Sequence, residues 1–397
     1  MTEKSWNDAD LLSHIVDFVL KHKFLYDCPN IKFLSNNLWE RIPRSWLHYL
    51  EKLSNEELNS FPFQKPAPNC PKTLLKFHAA SNEIFTRHFN LCLTAVLPDS
   101  LSQFTTSLIQ TNASMTIKKR HEVENLTALL MVYCKHYSVN RIVDVGCGVG
   151  HLISQLSRHF KVIGIDCNEK FCQRARKSCV SLHGCGDLQP TLLRLFSKLN
   201  RNRVPLIFTV PCCYHKMSNL KKEMSHWMSN EIKRRCISCE VLPVTALRLA
   251  CQKHISSWPS SDQDREKHTK NFISRALLEC LYDRHNDLPP FPCRKLNSHL
   301  EDMKNIGAKL AYQLGMDENG ISRIDRLYRM IYADQEPYFA YVEPFTLLQT
   351  MMQTPLEMFI LLDRLFFLRE HGCSAHILSV FNSKISSRHL CIIASSS

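Results

Sequence analysis

Arg141-Ile142-Val143-Asp144-Val145-Gly146-Cys147-Gly148-Val149-Gly150-His151 is the stretch that decides how this chain folds. β-Branched residues around a single acid predict a buried strand, and a glycine turn follows at once. His151-Leu152-Ile153-Ser154-Gln155-Leu156 then opens a helix. Strand, glycine turn and helix N-terminus together form the nucleotide-binding crevice of doubly wound α/β folds. The chain has 10 glycines, and six of them (Gly146, Gly148, Gly150, Gly164, Gly184, Gly186) fall within this short region. Glycine is needed where φ must be positive or where a ligand approaches the main chain, so the ligand loops are expected there.

A second strand, Lys161 to Ile165, ends in Asp166, 22 residues after Asp144. An acid at that place in the fold accepts hydrogen bonds from ribose hydroxyls. The dinucleotide fingerprint G-x-G-x-x-G would put its third glycine at position 151, where this chain has His151, which argues against a nicotinamide oxidoreductase. Cofactor contacts are therefore expected from Asp144, Gly146, Gly148, Gly150 and Asp166.

Val180-Ser181-Leu182 and Leu206 to Val210 read as two further strands. Their carboxyl ends carry His183, Cys185 and Asp187, and then Pro211-Cys212-Cys213-Tyr214-His215. Ligands bind outside the carboxyl ends of such strands. Histidine and aspartate supply a base or an orienting group, so Asp187, His215 and His183 are the candidate catalytic residues, with Tyr214 at the substrate wall. His183 and Cys185 read equally well as packing residues of a tight turn. No metal site is expected. Cys236-Ile237-Ser238-Cys239 has no second pair to complete it, and adjacent residues of a strand such as Cys212 and Cys213 point to opposite faces.

Around this core the chain reads as helical. Leu11, Leu12, Ile15, Val16 and Val19 form one apolar stripe, and Pro62, Pro66, Pro68 and Pro71 mark a linker. Four segments are expected: a helical N-terminal region over 1–114, a Rossmann-like core over 115–215, a basic helical insertion over 216–344, and a C-terminal helix with closing strand over 345–397. The Met1 to Asp10 stretch has no apolar leader, and the 18 cysteines sit at scattered spacings. A soluble cytoplasmic or nuclear protein with reduced thiols is the expectation. Of the net charge of +13, residues 101–200 carry +7 and residues 201–300 carry +8, while the flanking parts sum to −2. A basic middle region over 101–300 suits a polyanion such as RNA, or is a solvated face without a partner.

Several blocks, in order, resemble the methyltransferase-like protein 25 family and its relative named for a ribosomal RNA adenine dimethylase domain. They are Leu38-Trp39-Glu40-Arg41-Ile42-Pro43, Lys118-Lys119-Arg120-His121-Glu122-Val123, the glycine turn, and Leu182-His183-Gly184-Cys185-Gly186-Asp187-Leu188. Cys212-Cys213-Tyr214-His215, Leu249-Ala250-Cys251-Gln252, Leu361-Leu362-Asp363-Arg364-Leu365 and Ser386-Ser387-Arg388-His389-Leu390 complete the set. The spacing G-x-G-x-G, with an acid two residues before the first glycine, is the pattern of class I methyltransferases. The resemblance implies an α/β, Rossmann-like sheet in the order 3-2-1-4-5-7-6, S-adenosyl-L-methionine as cofactor, and methyl transfer, with RNA as acceptor by analogy to a similar tRNA methyltransferase family. A catalytically inactive methyltransferase-like protein that binds RNA or a protein partner is the alternative. One departure stands out: only 13 residues separate Asp166 from Val180, enough for a helix but not for the third strand that relatives carry. The loop after that strand normally covers the adenine ring, so the departure implies weakened cofactor binding or a missing segment.

Overall fold

The computed structural model describes residues 8–93, 115–166, 184–199, 204–217, 227–235, 242–252, 255, 261–285, 287–288 and 303–396. They are mostly helical, with two small sheets. Contacts divide the chain into two units, one of residues 1–20, 83–256 and 353–397, the other of 21–82 and 257–352.

In the first unit, β1 (Arg141–Val145) pairs in parallel with β2 (Lys161–Ile165), Asp144 lying opposite Gly164. A second sheet has the order β3-β5-β4, formed by Leu206–Thr209, Cys373–Ser379 and Leu390–Ser396 as β3, β4 and β5. Both of its pairings are antiparallel, with Phe208 opposite Ile393 and Ile377 opposite Ile392. A single parallel bridge, Gly184 to Pro211, continues the chain beyond β3. β4 was not singled out in the sequence, because Cys373-Ser374-Ala375-His376 breaks any simple apolar alternation. The expected fourth strand, Val180-Ser181-Leu182, and the stretch too short for a third strand fall on residues 167–183, outside the described residues.

The Ile117–His136 helix packs across both sheets. Thr116 caps it by accepting the Lys119 N–H, and it buries Val123, Leu126, Leu129, Leu130 and Tyr133. These meet Leu152 and Leu156 of the next helix, Val210 just past β3, and Leu378, Cys391 and Ile393 of β4 and β5. The other face of the parallel pair is open: Val143, Ile163 and Ile165 are 57%, 63% and 52% exposed. β1 is therefore not buried on both faces, as its run of β-branched residues predicted. Among the described residues only the side toward the Ile117–His136 helix is covered, and Asp144 lies on that side at 8% exposure.

Two of the resembling blocks meet here. Glu122 is buried, and its carboxylate accepts the Ser386 hydroxyl at 2.7 Å. Beside it in sequence, the His121 ring nitrogen Nε2 accepts the Asn382 N–H at 2.9 Å. The Lys118-to-Val123 block thus fastens the helix to the loop that leads into β5.

The Val342–Glu370 helix starts fourteen residues before the expected Leu356 and runs through Pro355. Proline lacks the N–H that would bond the carbonyl four residues back, Met351. The buried Ser81 hydroxyl donates to that carbonyl at 3.0 Å instead. Further along, buried Asp363 accepts the N–H groups of Met228 and Ser229 at 2.9 Å, and the Ser229 hydroxyl at 3.1 Å. Glu370 accepts the next two, from Asn230 and Glu231, at 2.8 and 2.9 Å. Two acids of one helix so cap the Asn230–Arg235 helix, where its orphan N–H groups carry partial positive charge.

The second unit has an aromatic cluster of its own. Phe33, Phe272 and Phe345 meet with ring centroids 5.0–6.3 Å apart, and Trp39 stacks on Tyr338 at 4.3 Å. Ser54 and Glu57 form a reciprocal capping box at the start of the Asn55–Ser60 helix. Among the described residues no helix is long and apolar enough to cross a membrane.

Asp363→Ala would take from Arg364, 1% exposed, the carboxylate it pairs with, and would uncap the Asn230–Arg235 helix. We expect a loss of about 3 kcal/mol, seen as a lower midpoint in urea unfolding. An unchanged midpoint would mean that the pair does not hold this helix.

Candidate active site around the glycine turn and the strand ends

The glycine turn has the backbone its sequence requires. Gly146, Gly148 and Gly150 all have positive φ, at 83°, 54° and 98°. A side chain at any of them would be strained. The turn closes on the second strand: Gly146 and Cys147 donate to the Ile165 carbonyl at 2.6 and 3.1 Å. The Gly148 N–H donates to the Asp166 carboxylate at 2.6 Å. The glycine turn and the acid of β2 thus share one crevice.

Asp144 stands within β1, two residues before Gly146. It is buried on the helix side of β1, and the charge of Lys119 lies close enough to interact with it. Burial pushes the Lys119 ammonium down, while Glu122 and Asp144 pull it up. Burial also lowers the His151 imidazole, helped by the positive charge of Lys119.

The strand ends form a second cluster. Gly184 donates to the Val210 carbonyl at 2.9 Å, and Gly186 to the Cys213 carbonyl at 3.2 Å, so the two loops are stitched together by main chain. Gly186 has φ 56°, and a Cβ there would sit 2.8 Å from the Lys216 carbonyl oxygen. Only glycine permits that approach. Asp187 is half-buried just ahead of the Leu188–Lys198 helix, and His215 is half-buried in the short helical turn Tyr214–Lys216. These two candidates lie on the two stitched loops. His183 lies outside the described residues.

Tyr214 does not line a substrate wall. It is 3% exposed, and its hydroxyl donates to Glu357 at 3.2 Å. Glu357 also accepts from Arg388 at 2.9 Å and from Gln353 at 2.7 Å. Arg388 directs its other N–H groups at the carbonyls of Ala250 and Gln252, at 3.1 and 2.6 Å. Three donors converge on the carboxylate, the arrangement of an ionised acid, although burial pushes the other way. Burial works against the charge on Arg388 too, and the Glu357 carboxylate outweighs it. Burial and that same carboxylate hold Tyr214 well above its ordinary range, so it stays a phenol and donates.

Sequence reasoning passed over Glu357 as a site residue. The signal was an acid amid Leu356, Met358 and Phe359, a place where only a paired carboxylate survives. Arg388 and the Ala250-Cys251-Gln252 carbonyls were present in the resembling blocks, with no role attached.

The cysteines correct a second expectation. The sulfurs of Cys185, Cys212 and Cys213 all lie within 4.8 Å of one another, with Cys212 and Cys213 3.5 Å apart. Strand alternation does not apply to them, because β3 ends at Thr209 and Cys213 has turn-like φ −88°, ψ 75°. A hydrogen bond to Cys185, then burial, raises the Cys212 thiol far above the ordinary range, and burial first raises Cys213. Cys251 fixes the same loop, accepting the Tyr214 N–H at 3.1 Å and donating to the Cys212 carbonyl at 3.0 Å. Cys236 and Cys239 lie outside the described residues.

Within the basic region, the run Lys233-Arg234-Arg235 has internal partners. Arg234 and Arg235 both pair with Glu231, at 2.5 and 2.6 Å, and Lys233 donates to the Met228 carbonyl at 3.3 Å.

Glu357→Ala would strand a buried guanidinium, and we expect it to cost about 3–5 kcal/mol in denaturant unfolding. Tyr214→Phe removes a single donor to that charged acid and is expected to cost about 2 kcal/mol. Equal losses in the two variants would contradict the central place given to the Glu357–Arg388 pair.

A methyltransferase-domain family profile matches residues 118–179 and 173–220, the stretch that contains both clusters. Probable methyltransferase-like protein 25 of Homo sapiens is 26% identical over 204 residues, 48% of this chain and 32% of the relative. Its Mus musculus counterpart is 26% identical over 238 residues, 54% of this chain and 36% of the relative. The match thus spans about a third of the length of these curated relatives. No solved structure matches. Residues 118–220 are thus similar to a methyltransferase domain, and the chain is similar over about half its length to methyltransferase-like proteins.

Proposed function

We propose that the chain is an S-adenosyl-L-methionine-dependent methyltransferase acting on RNA. The observation that carries this reading is the 2.6 Å bond from the Gly148 N–H to the Asp166 carboxylate. It puts the glycine turn and the acid suited to a ribose in one crevice. The chain fits the cofactor there, since three glycines of positive φ let a ligand approach the main chain. Strand order supports a class I sheet. β2 and β1 take its second and first places, and the antiparallel set β3-β5-β4 takes the fifth, seventh and sixth. The parallel Gly184–Pro211 bridge stands at the join between the fourth and fifth.

When bound, the cofactor supplies an electrophilic methyl group on a sulfonium. Asp166 would hold the ribose, and the Gly146-to-Gly150 turn the rest of the ligand's main-chain contacts. Asp187 and His215, on the two stitched loops, would orient the acceptor and take its proton. Tyr214 positions His215 by anchoring its turn to Glu357.

The alternative is a catalytically inactive methyltransferase-like protein. The exposed Val143, Ile163 and Ile165 favour it, because a complete doubly wound sheet covers both faces. Calorimetry with S-adenosylhomocysteine separates the two. We expect measurable binding, weakened at least about tenfold in Asp166→Ala, the worth of one hydrogen bond to a charged group. No heat at millimolar ligand favours the inactive reading, and binding unchanged in Asp166→Ala removes this crevice.

The RNA acceptor rests on the located charge, +15 over residues 101–300 against −2 elsewhere. RNA affinity is expected to fall steeply with salt. Neutralising Lys233, Arg234 and Arg235 should flatten that slope by about one unit for each phosphate that is no longer neutralised. Affinity independent of salt would return the basic region to a solvated face.

A further inference from the structure

Three thiols on two loops, held together by main-chain hydrogen bonds, are a site that methyl transfer does not require. Cys185 comes from the loop after Gly184, and Cys212 and Cys213 from the loop after β3. The Gly184–Val210 and Gly186–Cys213 bonds fix the loops against each other, and Cys251 fixes the Cys212 carbonyl. The sulfurs are therefore gathered before any ligand arrives. Around a tetrahedral zinc, with Zn–S of about 2.3 Å, thiolates stand about 3.8 Å apart. The present 3.5 Å contact and 4.8 Å limit bracket that spacing.

Oxidation fits the cluster less well. Neighbouring α-carbons are about 3.8 Å apart, short of the span of about 4.4–6.8 Å that a disulfide uses, so a Cys212–Cys213 bond would be strained. Three soft sulfur ligands instead select a thiolate-seeking cation.

We propose that Cys185, Cys212 and Cys213 form a three-thiolate zinc site with its fourth position open. Among the described residues no further histidine, cysteine or carboxylate ligand atom joins the group. Binding releases the thiol protons to solvent as the thiolates form. An open position beside the candidate loops would take a hydroxyl acceptor as its anion, its proton passing to Asp187 or His215. That last step alone rests on the methyl-transfer reading, and the metal measurement stands without it.

The test uses the full chain, stripped of metal and reduced with a phosphine, titrated with cobalt(II) as a spectroscopic stand-in. The expected result is one equivalent bound with sulfur-to-cobalt charge-transfer absorption, displaced by zinc. Cys185→Ser, Cys212→Ser and Cys213→Ser should each weaken binding by more than about tenfold, the loss typical of merely supporting residues. Cys373→Ser, on β4, should leave it intact. If the serine variants unfold, X-ray absorption of the zinc-loaded wild type decides instead, with three sulfurs and one lighter atom expected. Charge transfer that survives the triple variant, binding of copper(I) but not zinc, or four sulfurs around the ion would each overturn the proposal. So would a disulfide from Cys185 to either neighbour in a protein that takes up no metal once reduced.

Discussion

A carboxylate out of reach of water must find its hydrogen bonds within the protein, and Glu357 does so from three directions. Arg388 reaches it from the segment entering β5, Tyr214 from the turn after β3, and Gln353 from its own helix. Arg388 in turn binds the carbonyls at the end of the Val244–Ala250 helix. Four pieces of chain that share no sequence neighbourhood are thus fixed by one ion pair. A pair so buried adds little net stability over an apolar substitute, since desolvation opposes the attraction. What it supplies is position. The turn that bears His215 and the paired cysteines has its place because Tyr214 cannot leave Glu357.

The same logic recurs at each junction of the first unit. Asp363 and Glu370 use their charge to start a helix from a distance, and Glu122 receives Ser386. Helix ends and loops that would carry unsatisfied N–H groups in the interior are completed by acids from elsewhere in the chain. The functional loops at the strand ends are consequently set by polar contacts rather than by the apolar core beneath them.

What could be read in the sequence divides along this line. The glycine turn and Asp166 were legible, because positive φ and a strand-end acid are local demands that leave local residues. The strands β1, β2, β3 and β5 were legible from their β-branched runs. The Glu357–Arg388 pair was not, since its members stand 31 residues apart and neither belongs to a recognisable spacing. The role of Tyr214 was misread for the same reason. The cysteine cluster was missed because strand alternation was carried past the end of β3, into backbone that has already turned.

The pairing of β3 with β5 sets how this chain reaches its fold. Leu206 lies opposite Ser395, nearly half the sequence away, and β4 can reach β3 only through β5. Contacts of such separation are slow to form, because the entropy of loop closure is lost before any of them contributes. During synthesis β3 emerges long before its partner and waits with an unpaired edge. For that interval the edge is a site at which a chaperone, or another nascent chain, can bind.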